Sequence, residues 1–375
     1  PSVESYFNAA TGKYGLVTLA ERYGGAVLPR VIVSDTLRAA KRGEKRSHFN
    51  KVLLDRIGEA LQAGSQAILF QNRRGFSPYV ECGHCGWTAN CPDCNVSLTY
   101  HKSDGSLRCH YCGYRIPVPA VCPSCGTGSL LPRGFGTEKI EQELAAIFPE
   151  AAIDRLDADT SQSAGGYRRI VEAFEQGRTD ILIGTQIVTK GFDFGGVSLV
   201  GILNADNLLN YPDFRAGERA FQLMTQVGGR AGRRSEPGTV VIQTAQPQHP
   251  VIEQVLRGDY GAMVRSQLAE RRAFFYPPYC RLIAVVMRHR DKELLWRAAG
   301  AFAGSAREVF GRRLLGPEAP PVDRIRGRFL VRFLLKIERR SPSAEAKRLL
   351  QELFDRLHAR TEFRSVEVAA DVDPM

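Results

Sequence analysis

The chain has 375 residues, 43% of them hydrophobic, and its 51 Lys+Arg against 40 Asp+Glu give a formal charge of +11 and an isoelectric point near 9.3. That length allows two or three domains with buried cores, and no apolar run approaches the ~20 residues of a membrane span. The basic balance suits a polyanionic partner, and the nine cysteines come without the signal features that would point to an oxidising compartment.

Pro1-Ser2-Val3-Glu4-Ser5 has no initiator Met and no disordered lead-in, so residues 1–50 read as a linker in a chain entered part-way through a longer protein. Ala67-Ile68-Leu69-Phe70-Gln71 is a short apolar run, expected as a buried strand that ends in the basic loop Asn72-Arg73-Arg74-Gly75.

Four Cys-x-x-Cys pairs follow: Cys82/Cys85, Cys91/Cys94, Cys109/Cys112 and Cys122/Cys125. Four thiolates complete one tetrahedral zinc, so eight make two closed structural sites, two Zn²⁺ per chain. Gly86, Asn95, Gly113 and Gly126 stand just after the pairs, residue types that tolerate the φ > 0 of a tight metal-binding turn. The hairpin-like spacing between Cys91/Cys94 and Cys109/Cys112 predicts that these share one ion, leaving Cys82/Cys85 to close with Cys122/Cys125 outside it. His84, His101 and His110 read as bystanders or nucleic-acid contacts rather than ligands. The lone Cys280 reads as a small buried hydrophobe.

After the cysteines, Gly136-Thr137 offers a cap, and Ile140, Leu144, Ile147 and Phe148 recur at helical spacing. Strand 152–156, a helix around 167–175, strands 180–184 and 199–204, helix 218–227 and strand 239–244 follow. Apolar strands alternating with amphipathic helices predict a parallel sheet covered on both faces. The expected α/β lobe spans 51–80 and 127–247, with 81–126 as an inserted zinc module. Helical material from Val251 to Arg272 makes 248–280 a helical linker up to Tyr276-Pro277-Pro278-Tyr279. Residues 281–375 then read β-α-β-β-α-β, the split βαβ order of a small α+β domain. The arginines of Arg324-Ile325-Arg326-Gly327-Arg328 are either solvated surface or a phosphate-facing patch.

Thr225-Gln226-Val227-Gly228-Gly229-Arg230-Ala231-Gly232-Arg233 joins glycines that let backbone approach a ligand to arginines three apart on one helical face. Arginines so placed can stabilise charge that shifts during phosphoryl transfer. Ile181-Leu182-Ile183-Gly184-Thr185-Gln186 is a buried strand ending in polar residues, with Lys190-Gly191-Phe192-Asp193 just beyond, and strand ends in open α/β sheets gather ligands. The 375 residues contain no Gly-x-x-x-x-Gly-Lys-Ser/Thr and no acidic Mg²⁺ motif.

Gly184-Thr185-Gln186 through Lys190-Gly191, Gln226 through Arg233, Asn72-Arg73-Arg74-Gly75-Phe76 and the eight-cysteine insert, in this order, resemble the PriA family of bacterial replication-restart helicases. Asp213-Phe214-Arg215, Gly136-Thr137-Glu138 and Asp371-Val372-Asp373-Pro374 also match, so the resemblance covers the whole chain. Asp193 departs from the histidine expected in many members and matches the Gly-x-Asp of other superfamily 2 motors. The resemblance implies the second RecA-like lobe of an ATP- and Mg²⁺-dependent 3′→5′ DNA helicase, with residues 1–50 as the link from a first lobe. It implies that Gln226, Arg230 and Arg233 are catalytic, with Arg233 the arginine finger, and that Gly191, Asp193 and Gly229 bind the nucleotide. Arg73, Arg74, Thr185, Gln186 and Lys190 would contact DNA, Thr185 and Gln186 either on its backbone or as a relay to ATP. Branched and single-stranded DNA, primosome proteins and single-strand-binding protein are the implied partners of a cytoplasmic, nucleoid-associated monomer. Two other readings stand beside it: a non-enzymatic zinc-ribbon nucleic-acid binder, and a RecG-like branched-DNA translocase.

Overall fold

The computed structural model describes residues 1–19, 28–71, 79–101, 104–133, 137–156, 164–185, 194–232 and 237–374. In chain order these form α1 (Val3–Ala10), β1 (Arg30–Asp35), α2 (Thr36–Lys41), the hairpin β2 (Lys45–Arg46) and β3 (Phe49–Asn50), α3 (Lys51–Gln62) and β4 (Gln66–Phe70). The cysteine-rich stretch carries β5 (Tyr79–Cys82), β6 (Thr99–His101), β7 (Ser106–Arg108), β8 (Arg115–Pro117) and β9 (Leu130–Arg133). Then come α4 (Thr137–Ile147), β10 (Ile153–Leu156), α5 (Ala164–Glu175), β11 (Ile181–Gly184), β12 (Val197–Ile202), α6 (Asp206–Leu209), α7 (Ala216–Gly228) and β13 (Thr239–Thr244). Helices α8 (Pro250–Arg257) and α9 (Tyr260–Ala273) lead to β14 (Cys280–His289), α10 (Lys292–Phe310), β15 (Leu314–Glu318), β16 (Arg324–Ile325), β17 (Arg328–Glu338), α11 (Ser343–His358) and β18 (Glu367–Val372).

The large sheet has the order β1-β13-β12-β4-β11-β10, and every neighbouring pair is parallel. Its strands are apolar on both sides because both sides are covered. In β4, Ile68 and Phe70 face a core with α5, α7, α8 and α9, while Ala67 and Leu69 face α3 and α4 on the other side. The α/β architecture expected from the alternating pattern is therefore present. The cysteine-rich stretch is inserted between β4 and α4, where it leaves from the carboxyl end of β4.

Two expectations for the flanking segments change. Residues 1–50 were expected to be a linker, yet β1 pairs with β13 as the edge strand of the large sheet and Val3 of α1 is fully buried. The run Val31-Ile32-Val33 explains this, because Ile32 packs into one core while Val31 and Val33 pack into the other. Asp35 then caps α2, accepting from the Leu37 and Arg38 amides at 2.9 Å each. The helical material of 248–280 is likewise part of the lobe, since Val251, Ile252, Met263 and Val264 are buried in its core. It forms two helices. Gly258, at φ +61°, ends the first, and Asp259 starts the second by accepting from the Ala262 amide at 2.7 Å.

The last region has the sheet order β15-β17-β14-β18, with all neighbours antiparallel and β16 paired to β17. This is the split βαβ arrangement. Its two faces do different work. Ile283, Val285 and Met287 of β14 pack with Val331, Phe333 and Leu335 of β17 against α10 and α11. Leu282, Ala284 and Leu334 point the other way, into an apolar cluster shared with the cysteine-rich stretch, Phe214 and Tyr276.

Candidate metal centres and nucleotide-facing segment

Each cysteine pair is closed by the same local turn. The amides of Gly86, Asn95, Gly113 and Gly126 donate to the carbonyls of Cys82, Cys91, Cys109 and Cys122 at 2.9, 2.9, 3.0 and 2.8 Å. All four donors have positive φ: +76°, +48°, +84° and +73° in that order. Glycine and asparagine are the residues that adopt this backbone at least cost, which is why they recur there. Such a turn folds both thiols of a pair toward one point.

The thiols gather in two nested groups, Cys91, Cys94, Cys109 and Cys112 inside and Cys82, Cys85, Cys122 and Cys125 outside, each with its sulfurs within 4.8 Å of one another. Close approaches across the pairs are 3.6 Å for Cys82–Cys125, 3.7 Å for Cys85–Cys122 and 3.6 Å for Cys91–Cys112. Four sulfurs about 2.3 Å from one zinc ion stand about 3.8 Å apart, so the spacing fits a tetrahedral ion and is far too long for disulfides. Backbone donors support the sulfurs: the His84 amide reaches Cys82 Sγ at 3.4 Å and the Tyr114 amide reaches Cys112 Sγ at 3.5 Å. Burial pushes the Cys82 thiol up, but Thr127 Oγ1 and the amides of Cys85 and His84 outweigh it and bring the group down to about 6. Burial pushes Cys85 of the same group the other way, up to about 12.

The histidines are not in the metal groups. His110 is buried, with Nδ1 2.6 Å from the Ala319 carbonyl of the C-terminal region and Nε2 3.3 Å from His101 Nε2. Burial lowers its pKa to about 4, so the ring is neutral and joins two domains instead of offering charge to a phosphate. Cys280 is buried in the shared apolar cluster, as its lone position suggested.

The segment Gln226–Gly232 spans the last residues of α7 and those just after it. Gln226 is exposed and Gly229 and Arg230 are half-buried, while Val227 and Ala231 are buried and anchor the segment between them. The Gly232 amide donates to the Val197 carbonyl at 3.2 Å, at the start of β12. Gly232 has φ +76°, and a Cβ there would lie 1.9 Å from the Gly238 nitrogen, so the two glycines let their backbones meet. Thr185 lies elsewhere. It is buried directly after the last residue of β11, its amide 3.4 Å from the Leu156 carbonyl. In a parallel sheet every strand starts at one edge and ends at the other. Thr185 is thus at the carboxyl edge and Gly229–Gly232 at the amino edge, a separation that strand signals in the sequence do not reveal. Arg73, Arg74, Gln186, Lys190, Gly191, Asp193 and Arg233 lie outside the described residues.

At the carboxyl edge a cleft of about 520 Å³ opens between α2, the β5/β9 ribbon and the end of β12, and its lining includes His48, Tyr79, Glu81, Asn204 and Asp206. Nearby, the entry to α7 is clamped. Arg215 reaches Glu4 Oε1 and the Pro374 carbonyl at 3.1 and 3.0 Å, so the sequence motifs Asp213-Phe214-Arg215 and Asp371–Pro374 meet in space.

Comparison with known proteins agrees with this layout. Residues 91–117 match the PriA DNA helicase Cys-rich region, 136–235 the helicase conserved C-terminal domain, and 272–375 the primosomal protein N C-terminal domain. Over 376 residues the whole chain is 38% identical to the replication restart protein PriA of Bacillus subtilis, covering 46% of that protein. The PriA proteins of Treponema pallidum and Haemophilus influenzae are 39% and 37% identical, again over the whole chain, which covers 55% and 50% of them. The chain spans about half the length of these curated relatives. A PriA-type cysteine region set inside a helicase lobe, followed by the family's own C-terminal domain, leaves one assignment: the chain belongs to the PriA family of replication restart proteins.

Proposed function

We propose that this chain is the second motor lobe, zinc module and C-terminal domain of an ATP-dependent 3′→5′ DNA helicase that acts on stalled and branched forks and initiates primosome assembly. The observation that carries this reading is the glycine-clamped segment at the end of α7, which presents Gln226 and Arg230 at the amino edge of the sheet next to the start of β12. Here Gln226, Arg230 and the finger Arg233 face the nucleotide, with Gly191, Asp193 and Gly229 completing this half of the pocket. Guanidinium groups at that edge stabilise the charge spread over the transferring phosphoryl group. A first lobe of the whole protein supplies the phosphate-binding lysine loop and the Mg²⁺ carboxylates, so the 375 residues alone turn over no ATP.

Thr185, at the opposite edge, belongs with the DNA contacts. Arg73, Arg74 and Lys190 hold the phosphate backbone, which supplies affinity without reading sequence, and Thr185 and Gln186 either touch that backbone or relay between DNA and ATP. The eight cysteines hold two structural Zn²⁺, because neither group leaves an open position for substrate. Fork DNA, primosome proteins and single-strand-binding protein are the partners of a monomeric cytoplasmic enzyme.

The test is Arg233→Ala in the whole protein, followed by ATP turnover and fork-DNA affinity. Turnover should fall by about 10³ or more while DNA affinity stays within about twofold. A wild-type protein that binds DNA and turns over no ATP would instead be a non-enzymatic zinc-ribbon binder.

A further inference from the structure

Helix α7 has 13 residues and so is about 20 Å long, running from the carboxyl edge of the sheet to the amino edge. Its far end carries Gln226 and leads into Arg230. Its near end is held by contacts that draw on the cysteine-rich stretch, Tyr276 and β17. Phe214 stacks on Tyr276 with ring centres 4.4 Å apart and planes 3° from parallel. The Tyr276 hydroxyl donates to the Cys94 carbonyl of the inner metal group at 2.9 Å. Lys336 of β17 sits 3.8 Å from the Tyr276 ring centre and donates to the Phe274 carbonyl at 2.9 Å.

One turn further along α7, Glu218 is fully enclosed. It accepts from the Val3 amide at 3.0 Å, from Gln222 at 3.1 Å and from Arg271 at 2.5 Å. Arg271, only 1% exposed, also reaches Glu4 at 3.1 Å and lies 5.1 Å from the Phe214 ring. A stacked ring pair flanked by a buried, multiply bonded ion pair has few ways to slide, and a regular helix transmits displacement along its axis without bending. The start of α7 is therefore tied through Tyr276 to the inner metal group and the C-terminal sheet.

We propose that Tyr276 is a positioning residue for Gln226 and Arg230: through Phe214 it fixes the start of the helix that carries them to the inner metal group and the C-terminal domain. The inference rests on the reading of Gln226–Arg233 as nucleotide-facing, and it makes the zinc module a mechanical reference for the ATP site rather than a separate appendage.

Tyr276→Leu removes the stack and the hydroxyl, while Tyr276→Phe keeps the stack. Amide hydrogen exchange of the zinc-loaded chain reads the link without any ATP chemistry. Exchange across Gln226–Ala231 should rise about tenfold in Tyr276→Leu and by less in Tyr276→Phe, with β4 and β17 unchanged and two zinc ions retained. No change in 226–231, or an equal rise in every element, overturns the proposal. A second measurement separates it from the reading beneath. In the whole protein kcat for ATP should fall about tenfold in Tyr276→Leu with KM within about twofold. Absence of wild-type turnover would sink the nucleotide reading while leaving the exchange result to decide the mechanical link.

Discussion

The zinc module and the junction around Tyr276 touch one another, yet they are built on opposite principles. Each knuckle is a five-residue unit whose turn, metal ligands and positive-φ residue are adjacent in the chain. The junction draws Glu4, Phe214, Glu218, Arg271, Tyr276 and Lys336 from four segments spread between residues 4 and 336 and holds them by packing and buried charge. Local chemistry can be repeated four times and stay recognisable. A contact made by distant segments leaves no spacing to recognise, although it ties more of the molecule together.

The difference can be tested by breaking each kind of structure, and metal removal should have the largest effect. Structural zinc contributes about 10–16 kcal/mol to the folding of small modules. Chelation of both ions should therefore unfold residues 82–125 while the large sheet persists, seen as lost exchange protection confined to the module. In Cys112→Ser metal analysis should find about one zinc per chain, because the outer group keeps its four thiols. Loss of both ions would show that the two groups fold as one unit.

The junction should respond next. Arg271→Ala leaves Glu218 buried with only the Val3 amide and Gln222 as donors, and breaking a buried pair costs about 3–5 kcal/mol. Denaturant unfolding should show this loss with zinc content unchanged. Replacing both partners, Arg271→Met with Glu218→Leu, should cost less than the single change, since no charge is then stranded. A double variant as unstable as Arg271→Ala would mean that packing, not charge, dominates the junction.

The smallest effect belongs to a local device outside both regions. Asp259→Ala removes the side chain that caps α9 and should cost about 1 kcal/mol, read as a small drop in denaturation midpoint. Arg271 lies on the same helix, so hydrogen exchange at its C-terminal turn should stay unchanged if the junction holds that end independently of the cap.

Legibility followed the same division. Residues 239–244 read as a strand because the β-branched run Thr239-Val240-Val241-Ile242 falls in turn within the strand–helix alternation, whereas Arg30–Asp35 carries no such context. Its run Val31-Ile32-Val33 is as apolar as Val240-Val241-Ile242, but it precedes the alternating strands and helices that give such a run its meaning, and the pairing with β13 is what makes it a strand. The helices of 248–273 were visible, but their burial against α7 was not, because amphipathic spacing says that a face is apolar and not what covers it. Lys336 is the clearest case. In sequence it interrupts the apolar run of β17, and only the ring of Tyr276 and the Phe274 carbonyl explain a lysine at 9% exposure.

What the amino-acid sequence by itself determined was therefore whatever depends on neighbours in the chain: the four knuckles, their nested grouping, the parallel α/β pattern, the split βαβ order and the family to which these belong. What only the tertiary structure decided was relative placement. It set Thr185 and Arg230 at opposite edges of one sheet, turned the second face of the C-terminal sheet onto the zinc module, and joined both to the start of α7. The reason is physical. Turn geometry and metal ligation are set by bonds a few residues long, whereas the choice of which apolar face meets which is settled only when the whole chain buries its surface at once.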